Sequence, residues 1–398
     1  MLVNKNNDGN KCLKINTICV DVLSLYVLQY IEENIIFLLP VPTVIYMGGY
    51  IMKYTNIVFT KLNTAEYLPM DEIRLKEMEM GDNSVKVKTV ISTISCGTEK
   101  ANITGDLNVS IYEEPKPGDV AQFPRFAGYS SAGTVVEVGK NVKSVKVGDR
   151  VVVAHGGHRN YNVVDERYVV KIEDERVSFA EAAMAFIAVF PLAAVRKTRL
   201  ELGESAMVVG LGILGQLAVQ FAHAAGAVPV IAVDPVEDRR NIALKFGADY
   251  ALDPTEPDFA KKAKEITGGG VNAAIEVTGL GVGLQQTLDC MAKFGRVALL
   301  GCTRDYNFTI DYYRKVHAPG IHIIGAHTMA RALDESYPGY FTEQDDIKAS
   351  LKLCASNMVN FKGLIAETHS TKDCGEVYTR LVNDRNFPIV VQFDWTQE

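Results

Sequence analysis

AMVVGLGILGQLAVQFAHAAG, residues 206–226, runs from an apolar segment through three glycines into a second apolar segment. Ala206–Val209 is a short apolar run of the length of a fully buried strand. Gly210-Leu211-Gly212-Ile213-Leu214-Gly215 follows as G-x-G-x-x-G, and residues 214–225 continue with helical spacing of apolar side chains. A strand, a glycine turn and a helix in immediate succession make the motif specific for dinucleotide binding, which the glycines alone are not. In that pattern Gly210 permits the tight turn, Gly212 lets the backbone approach a pyrophosphate, and Gly215 lets helix and strand pack closely. The helix N-terminus, at Ile213 and Leu214, offers unpaired N–H groups to the phosphates.

Working outward, the next strand spans residues 228–233 and ends at Asp234, 234 − 210 = 24 residues after the first glycine. A carboxylate there accepts from the adenosine ribose hydroxyls and repels a 2′-phosphate, so NAD is expected over NADP. Arg239 and Arg240 follow closely and could instead hold a phosphate. Further strands are expected over 273–277, 296–300 and 321–324, with a helix over 236–246. Alternation of apolar strands with helices implies an α/β fold with a doubly wound parallel sheet covered on both faces, of the Rossmann kind.

Before residue 179 the character differs. Residues 84–92 alternate like a half-buried strand, and 133–139 and 149–154 are β-branched runs bounded by turns. FAEAAMAFIAVFPLAAVRK, from Phe179, reads as one helical stretch. The tail holds a helix over 345–355 and a last strand in PIVVQFDW. With 398 residues the chain suits more than one core.

Apolar content of 47%, charged content of 22% and a net charge of −7 are those of a globular protein with no affinity for nucleic acid or an anionic membrane. The seven cysteines (Cys12, Cys19, Cys96, Cys290, Cys302, Cys354 and Cys374) are never spaced C-x-x-C, which fits reduced thiols and a cytoplasmic location. Residues 1–51 contain neither Ala nor Arg, and acids interrupt every apolar run, so they read as neither a transit peptide nor a membrane span. Met47-Gly48-Gly49-Tyr50-Ile51-Met52 is what translation of a purine-rich ribosome-binding sequence, a spacer and a start at Met52 would give. The expectation is that residues 1–51 are not native, the alternative being a poorly ordered extension.

Val135-Val136-Glu137-Val138-Gly139 and Val147-Gly148-Asp149-Arg150-Val151 resemble the signature of medium-chain dehydrogenases/reductases, the zinc-type alcohol dehydrogenases. Glu265-Ile266-Thr267-Gly268-Gly269-Gly270, Ile275-Glu276-Val277-Thr278-Gly279 and Gly295-Arg296-Val297 extend the likeness over nearly everything after Met52. The resemblance implies a GroES-like β-rich catalytic domain built from both ends of the chain (52–195 and 331–398), with the Rossmann domain (196–330) inserted and the active site in the cleft. It implies a small-molecule alcohol or carbonyl substrate, an NAD cofactor touching Thr278 as well as the glycine loop, and a homodimer or homotetramer.

The zinc pattern departs from the family's. Cys96 in Cys96-Gly97-Thr98-Glu99 matches the first catalytic zinc ligand, but Gly128-Tyr129-Ser130 stands for the Gly-His-Glu of the second, and the third falls near Phe186. The four-cysteine lobe is missing. One thiolate cannot hold a catalytic zinc, which needs three protein ligands and a water, so no metal is expected. Gly-Thr-Glu and Gly-Tyr-Ser resemble a zinc-ligand-depleted branch that includes bacteriochlorophyllide a dehydrogenase.

A side chain must then handle the substrate proton. Thr98 matches the family's proton-relaying hydroxyl, though threonine equally suits a turn. Tyr129 can donate to a carbonyl, or merely fill the space left by the metal. Glu99 can pair with Arg125 or act as a base. His155 and His158 have the intrinsic pKa for proton transfer, though the reading preferred for them is an exposed loop pair. Three other readings stay open: a zinc enzyme rebuilt from Cys96, His155 or His158 and Glu99; an NADPH quinone or enoyl reductase; and a non-catalytic dinucleotide-binding protein.

Overall fold

The computed structural model describes residues 54–110, 112, 114–302 and 307–397, and four short strands nearer the N-terminus. It divides into Met1–Lys53 and Tyr54–Glu398. In the first unit Tyr26–Val27 pairs with Leu39–Pro40, and Ile45–Met47 with Tyr50–Met52. The remainder of that unit, and with it the question of a start at Met52, lies outside the described residues.

In Tyr54–Glu398 the residues after the glycine motif build a six-stranded sheet. Its order is Tyr250–Leu252, Val230–Val233, Ala206–Val209, Val271–Glu276, Met291–Leu299, His322–Gly325, and every neighbouring pair is parallel. In chain order this is 3-2-1-4-5-6, the doubly wound arrangement whose strand order reverses beside the first strand. Ala206–Val209 is wholly buried, as expected of a central strand covered on both faces. The second strand starts two residues later than its apolar run, because Pro229 has no N–H to give the ladder.

The other large sheet joins both ends of the unit. Val169–Lys171, Arg150–Ala154, Ser130–Val138, Ser84–Thr93, Val390–Asp394 and Ile365–Ser370 lie in that order, with Tyr161–Asp165 also on Ser84–Thr93. The pairing of Phe393 with Ser92 brings residues about three hundred positions apart into register. A three-stranded sheet of Thr64–Pro69, Thr55–Lys61 and Arg125–Phe126 stands beside it.

The single helical stretch expected from Phe179 is two helices, Phe179–Ala182 and Ala185–Lys197. A capping box, Ser178 with Glu181, opens the first. No glycine or proline marks the break at Ala183-Met184, so the sequence shows none. Ala185–Lys197 is buried almost throughout and packs on Ile213–Ala224, Glu343–Ala355 and strands of both large sheets. It carries the buried Phe186 ring against Tyr129 and His155.

Burial pushes the thiols of Cys96, Cys290 and Cys354 up to about 12 and that of Cys374 to about 11. In the unfolded chain they ionise near about 8.5. Their contribution to stability is therefore complete below about pH 8 and is lost as pH rises toward the folded values, where the unfolded state binds fewer protons. We expect the urea midpoint to fall between about pH 8 and about pH 10; an unchanged midpoint contradicts this.

Candidate active site and cofactor cleft

The glycine loop has the geometry its motif requires. Gly210 sits at φ +95°, where an L side chain is strained, and a Cβ there would lie 3.0 Å from Thr278 Cγ2. A Cβ on Gly215 would fall 1.9 Å from the Gly210 carbonyl oxygen. At Gly212 a Cβ would meet no protein atom within 4 Å, so this turn faces open space. Gly212 caps the helix Ile213–Ala224, whose first N–H groups, at Ile213 and Leu214, have no partner one turn earlier. A cradle of free N–H groups beneath a glycine facing open space fits a dinucleotide pyrophosphate.

Asp234 ends its strand, as expected, and is buried. Its carboxylate accepts from the N–H groups of Leu211 and Val236, both at 2.8 Å, and Arg239 Nη1 stands 3.8 Å away. It therefore braces the glycine loop from below while keeping lone pairs for a ribose diol. Arg240 turns away, bonding the Asp234 carbonyl and the Asp253 carboxylate. Thr278 leans on the loop and donates its hydroxyl to Glu276, a buried acid at the switch between the two halves of the sheet. Glu276 lies in the motif at residues 275–279, but no role of its own was expected of it from the sequence. Burial pushes its pKa up, against the bonds from Thr278 and Gly279.

Across the cleft, Ser95 caps the helix Cys96–Ile103. Ser95 Oγ and Tyr129 Oη are 2.5 Å apart, and Thr98 is among the polar side chains around the phenol. Thr98 lies in the first turn of a helix and not in a loop turn. Burial, reinforced by Glu99, pushes the Tyr129 phenol well above its usual value near about 10, against the polar side chains of Ser95 and Thr98. The ring stands edge-on to Phe186 at 5.6 Å and beside Phe190 at 6.0 Å. Tyr129 thus fills space and presents a hydroxyl at once. Its electrostatic neighbours include Cys302, just beyond Met291–Leu299, and those of Cys96 include Arg239. Cys302 follows the fifth strand and Arg239 the second, both beyond the carboxyl edge of the parallel sheet, the side on which ligands bind in such folds.

Two expectations are corrected. Glu99 does not pair with Arg125, which donates instead to the Asn102 and Asp106 carbonyls. Glu99 is buried, accepts from Ser95 N at 2.8 Å, meets His158 Nε2 at 3.1 Å and accepts from the Tyr378 hydroxyl. The exposed-pair reading of the histidine loop holds for His155 alone. His158 is 1% exposed and bonds Ser92 Oγ at 2.7 Å through Nδ1, because the ring fits over Gly128, whose missing side chain makes the room. His155 lies at φ +56° on the rim, 3.0 Å from Glu343, with Tyr168 and Phe186 each 4.7 Å from its ring. Ser95, Ser92, Tyr378 and Trp395 were missed by sequence reasoning. Ser95 adjoins Cys96 and could have been suspected; the others are single residues without a local pattern.

Comparison with known proteins decides the family. The chain is 30% identical over 269 residues to (R,R)-butanediol dehydrogenase of Bacillus subtilis, covering 60% of this chain and 77% of that enzyme. The chain belongs to the zinc-type alcohol dehydrogenase-like medium-chain dehydrogenases/reductases. It is an oxidoreductase. The alcohol dehydrogenase GroES-like domain matches residues 81–174 and the zinc-binding dehydrogenase domain residues 214–343. L-threonine 3-dehydrogenase of Pyrococcus furiosus is 32% identical over 255 residues, 56% of this chain and 69% of that one. The crystal structure of the Bacillus subtilis 2R,3R-butanediol dehydrogenase superposes with a TM-score of 0.70 at 23% identity, over 86% of this chain and 99% of that one, and shows the shared fold.

Medium-chain dehydrogenases/reductases use NAD(P), and the glycine loop fits it. A catalytic zinc fits less well. Among the described residues no three His, Cys, Asp or Glu side chains come together as a metal-binding group. The carboxylate of Glu99 and the ring nitrogens of His158 are engaged with each other and with Ser95, Tyr378 and Ser92. Among the described residues no helix is long and apolar enough to cross a membrane.

Proposed function

We propose that this enzyme transfers a hydride between NAD and a secondary alcohol or polyol, or the matching carbonyl compound, with Tyr129 in the place of a catalytic zinc. The observation that carries the reading is the Ser95–Tyr129 pair at 2.5 Å, at the position the family resemblance gives to a zinc ligand. Bound NAD supplies the hydride acceptor, or NADH the donor, at C4 of the nicotinamide. The chain supplies the proton. Because Tyr129 keeps its proton well beyond neutrality, its Oη–H donates to the carbonyl oxygen and stabilises the negative charge that grows there during reduction. The Ser95 and Thr98 hydroxyls then relay to the phenol a proton taken up from solvent, each giving up one hydrogen as it receives another, and alcohol oxidation runs the same path backwards.

The proposal includes the division at 195 and 330 into catalytic and Rossmann parts, a cytoplasmic location and a homodimer or homotetramer. Substrates of the family relatives are small alcohols, and a panel containing (R,R)-2,3-butanediol, L-threonine and the corresponding ketones is the first to assay.

NAD preference is supported by the buried Asp234 carboxylate and tested by its removal. Asp234→Gly frees two loop N–H groups as well as the ribose site, so it weakens both cofactors; the ratio of affinities isolates the ribose effect. We expect NADH to lose about tenfold or more relative to NADPH, as for a charged hydrogen-bond partner. An unchanged ratio in a fluorescence titration contradicts the assignment and favours the NADPH reductase reading.

A further inference from the structure

Glu99 and His158 are both buried, with side chains 3% and 0% exposed, and neither has a role in the proton path above. We propose that they form a positioning brace that holds Ser95 and Tyr129 together, replacing the metal as the element that joins the two walls of the site. The inference rests on the donor role assigned to Tyr129.

The brace follows from accounting for every hydrogen. Trp395 Nε1, a donor only, gives its hydrogen to Ser92 Oγ at 2.8 Å. Ser92 Oγ has a second lone pair, but its own hydrogen has no other partner than His158 Nδ1, 2.7 Å away, so pairing that hydrogen makes Nδ1 the acceptor. His158 Nε2 faces a carboxylate and carries the ring's hydrogen, which it donates to Glu99 Oε2 at 3.1 Å. The Tyr378 hydroxyl donates to the same oxygen, and Ser95 N–H to Glu99 Oε1 at 2.8 Å. Every donor has one acceptor only if His158 is neutral and protonated on Nε2. Among the described residues no lysine or arginine forms an ion pair with Glu99.

Each partner grips one wall. Glu99 accepts from Ser95 N–H and gives its own N–H to the Ser95 carbonyl at 2.9 Å, so both backbone polar groups of Ser95 are held. His158 gives its backbone N–H to the Ala127 carbonyl at 2.9 Å, and a Cβ on Gly128 would lie 2.6 Å from its ring. It therefore fixes the turn that delivers Tyr129. A buried, fully satisfied network of this kind rigidifies what it touches, and a misplacement of about 1 Å at a reacting group can cost about 100-fold in rate.

The test combines Glu99→Gln and His158→Ala with nitrogen-15 NMR of the histidines in the wild-type enzyme. The brace predicts one neutral imidazole with Nε2 protonated at neutral pH, its pattern lost in Glu99→Gln. It also predicts a fall in kcat for ketone reduction of about 20-fold or more in Glu99→Gln, with the NADH Kd and the ketone KM within about threefold. In His158→Ala, added imidazole should restore part of the rate by refilling the space over Gly128. A doubly protonated or Nδ1-protonated His158 in the wild-type enzyme overturns the brace even if neither variant folds. Wild-type kcat in Glu99→Gln beside a slow Tyr129→Phe overturns the brace alone, whereas full activity in Tyr129→Phe overturns the donor role and the brace with it.

Discussion

Tyr129→Phe slows ketone reduction by about 100-fold or more and leaves the NADH Kd unchanged, the loss expected when a positioned general acid is removed. The variant keeps the ring, so the edge contacts to Phe186 at 5.6 Å and Phe190 at 6.0 Å survive. Only the hydroxyl goes, leaving the buried Ser95 Oγ without its partner, a cost of about 1–3 kcal/mol in stability. Single-turnover measurement of NADH oxidation separates the outcomes: a slow hydride step with normal NADH binding supports a proton donor, and an unaltered step means the ring only packs. The phenol's raised pKa adds a second sign. An enzyme whose acid stays protonated shows no loss of reduction rate between about pH 7 and about pH 9 through this group, whereas a tyrosine tuned to titrate near neutrality would show one.

Gly215→Ala nearly abolishes NADH binding. The new Cβ would sit 1.9 Å from the Gly210 carbonyl, and neither partner is a flexible side-chain end that can swing aside. The helix must move off the strand or the loop must refold, at about 1–3 kcal/mol for overpacking of this kind. The first-turn N–H groups then leave the pyrophosphate position. We expect an NADH Kd at least about 30-fold higher, since each ~1.4 kcal/mol is tenfold, with a lower melting temperature. Gly212→Ala is the control, because its Cβ meets open space in the protein: it should fold normally and lose affinity only through contact with the cofactor. Wild-type affinity in Gly215→Ala contradicts the assigned loop geometry.

These two sites were unequally legible in the sequence. The nucleotide half could be read because its signals are local. Strand, glycines and helix are contiguous, Asp234 lies 24 residues on, and the apolar runs mark strands that neighbour one another in space. Tyr129 and Cys96 could be placed by the motifs that flank them. The bonds between them could not, because they depend on which side chains of separate segments meet. Tyr378 reaches Glu99 across 279 residues and Trp395 reaches Ser92 across 303, and neither has a spacing that announces it. The two histidines show the limit most clearly. They sit three residues apart in His155-Gly156-Gly157-His158, yet one is buried over Gly128 and the other bonds Glu343 at the rim. What separates them is the absence of a side chain on a different segment, and no pattern within the loop encodes that.

Whether hydride transfer here proceeds without a catalytic zinc is decided by elemental analysis paired with activity. The full-length enzyme would be purified without chelators, its zinc content measured, and the NADH-dependent reduction rate of the same sample followed before and after dialysis against a strong chelator. The account predicts well under one zinc per chain and a rate unaffected by the chelator. One zinc per chain, lost together with the activity and regained with it on adding zinc, would contradict it and make Cys96 a metal ligand after all.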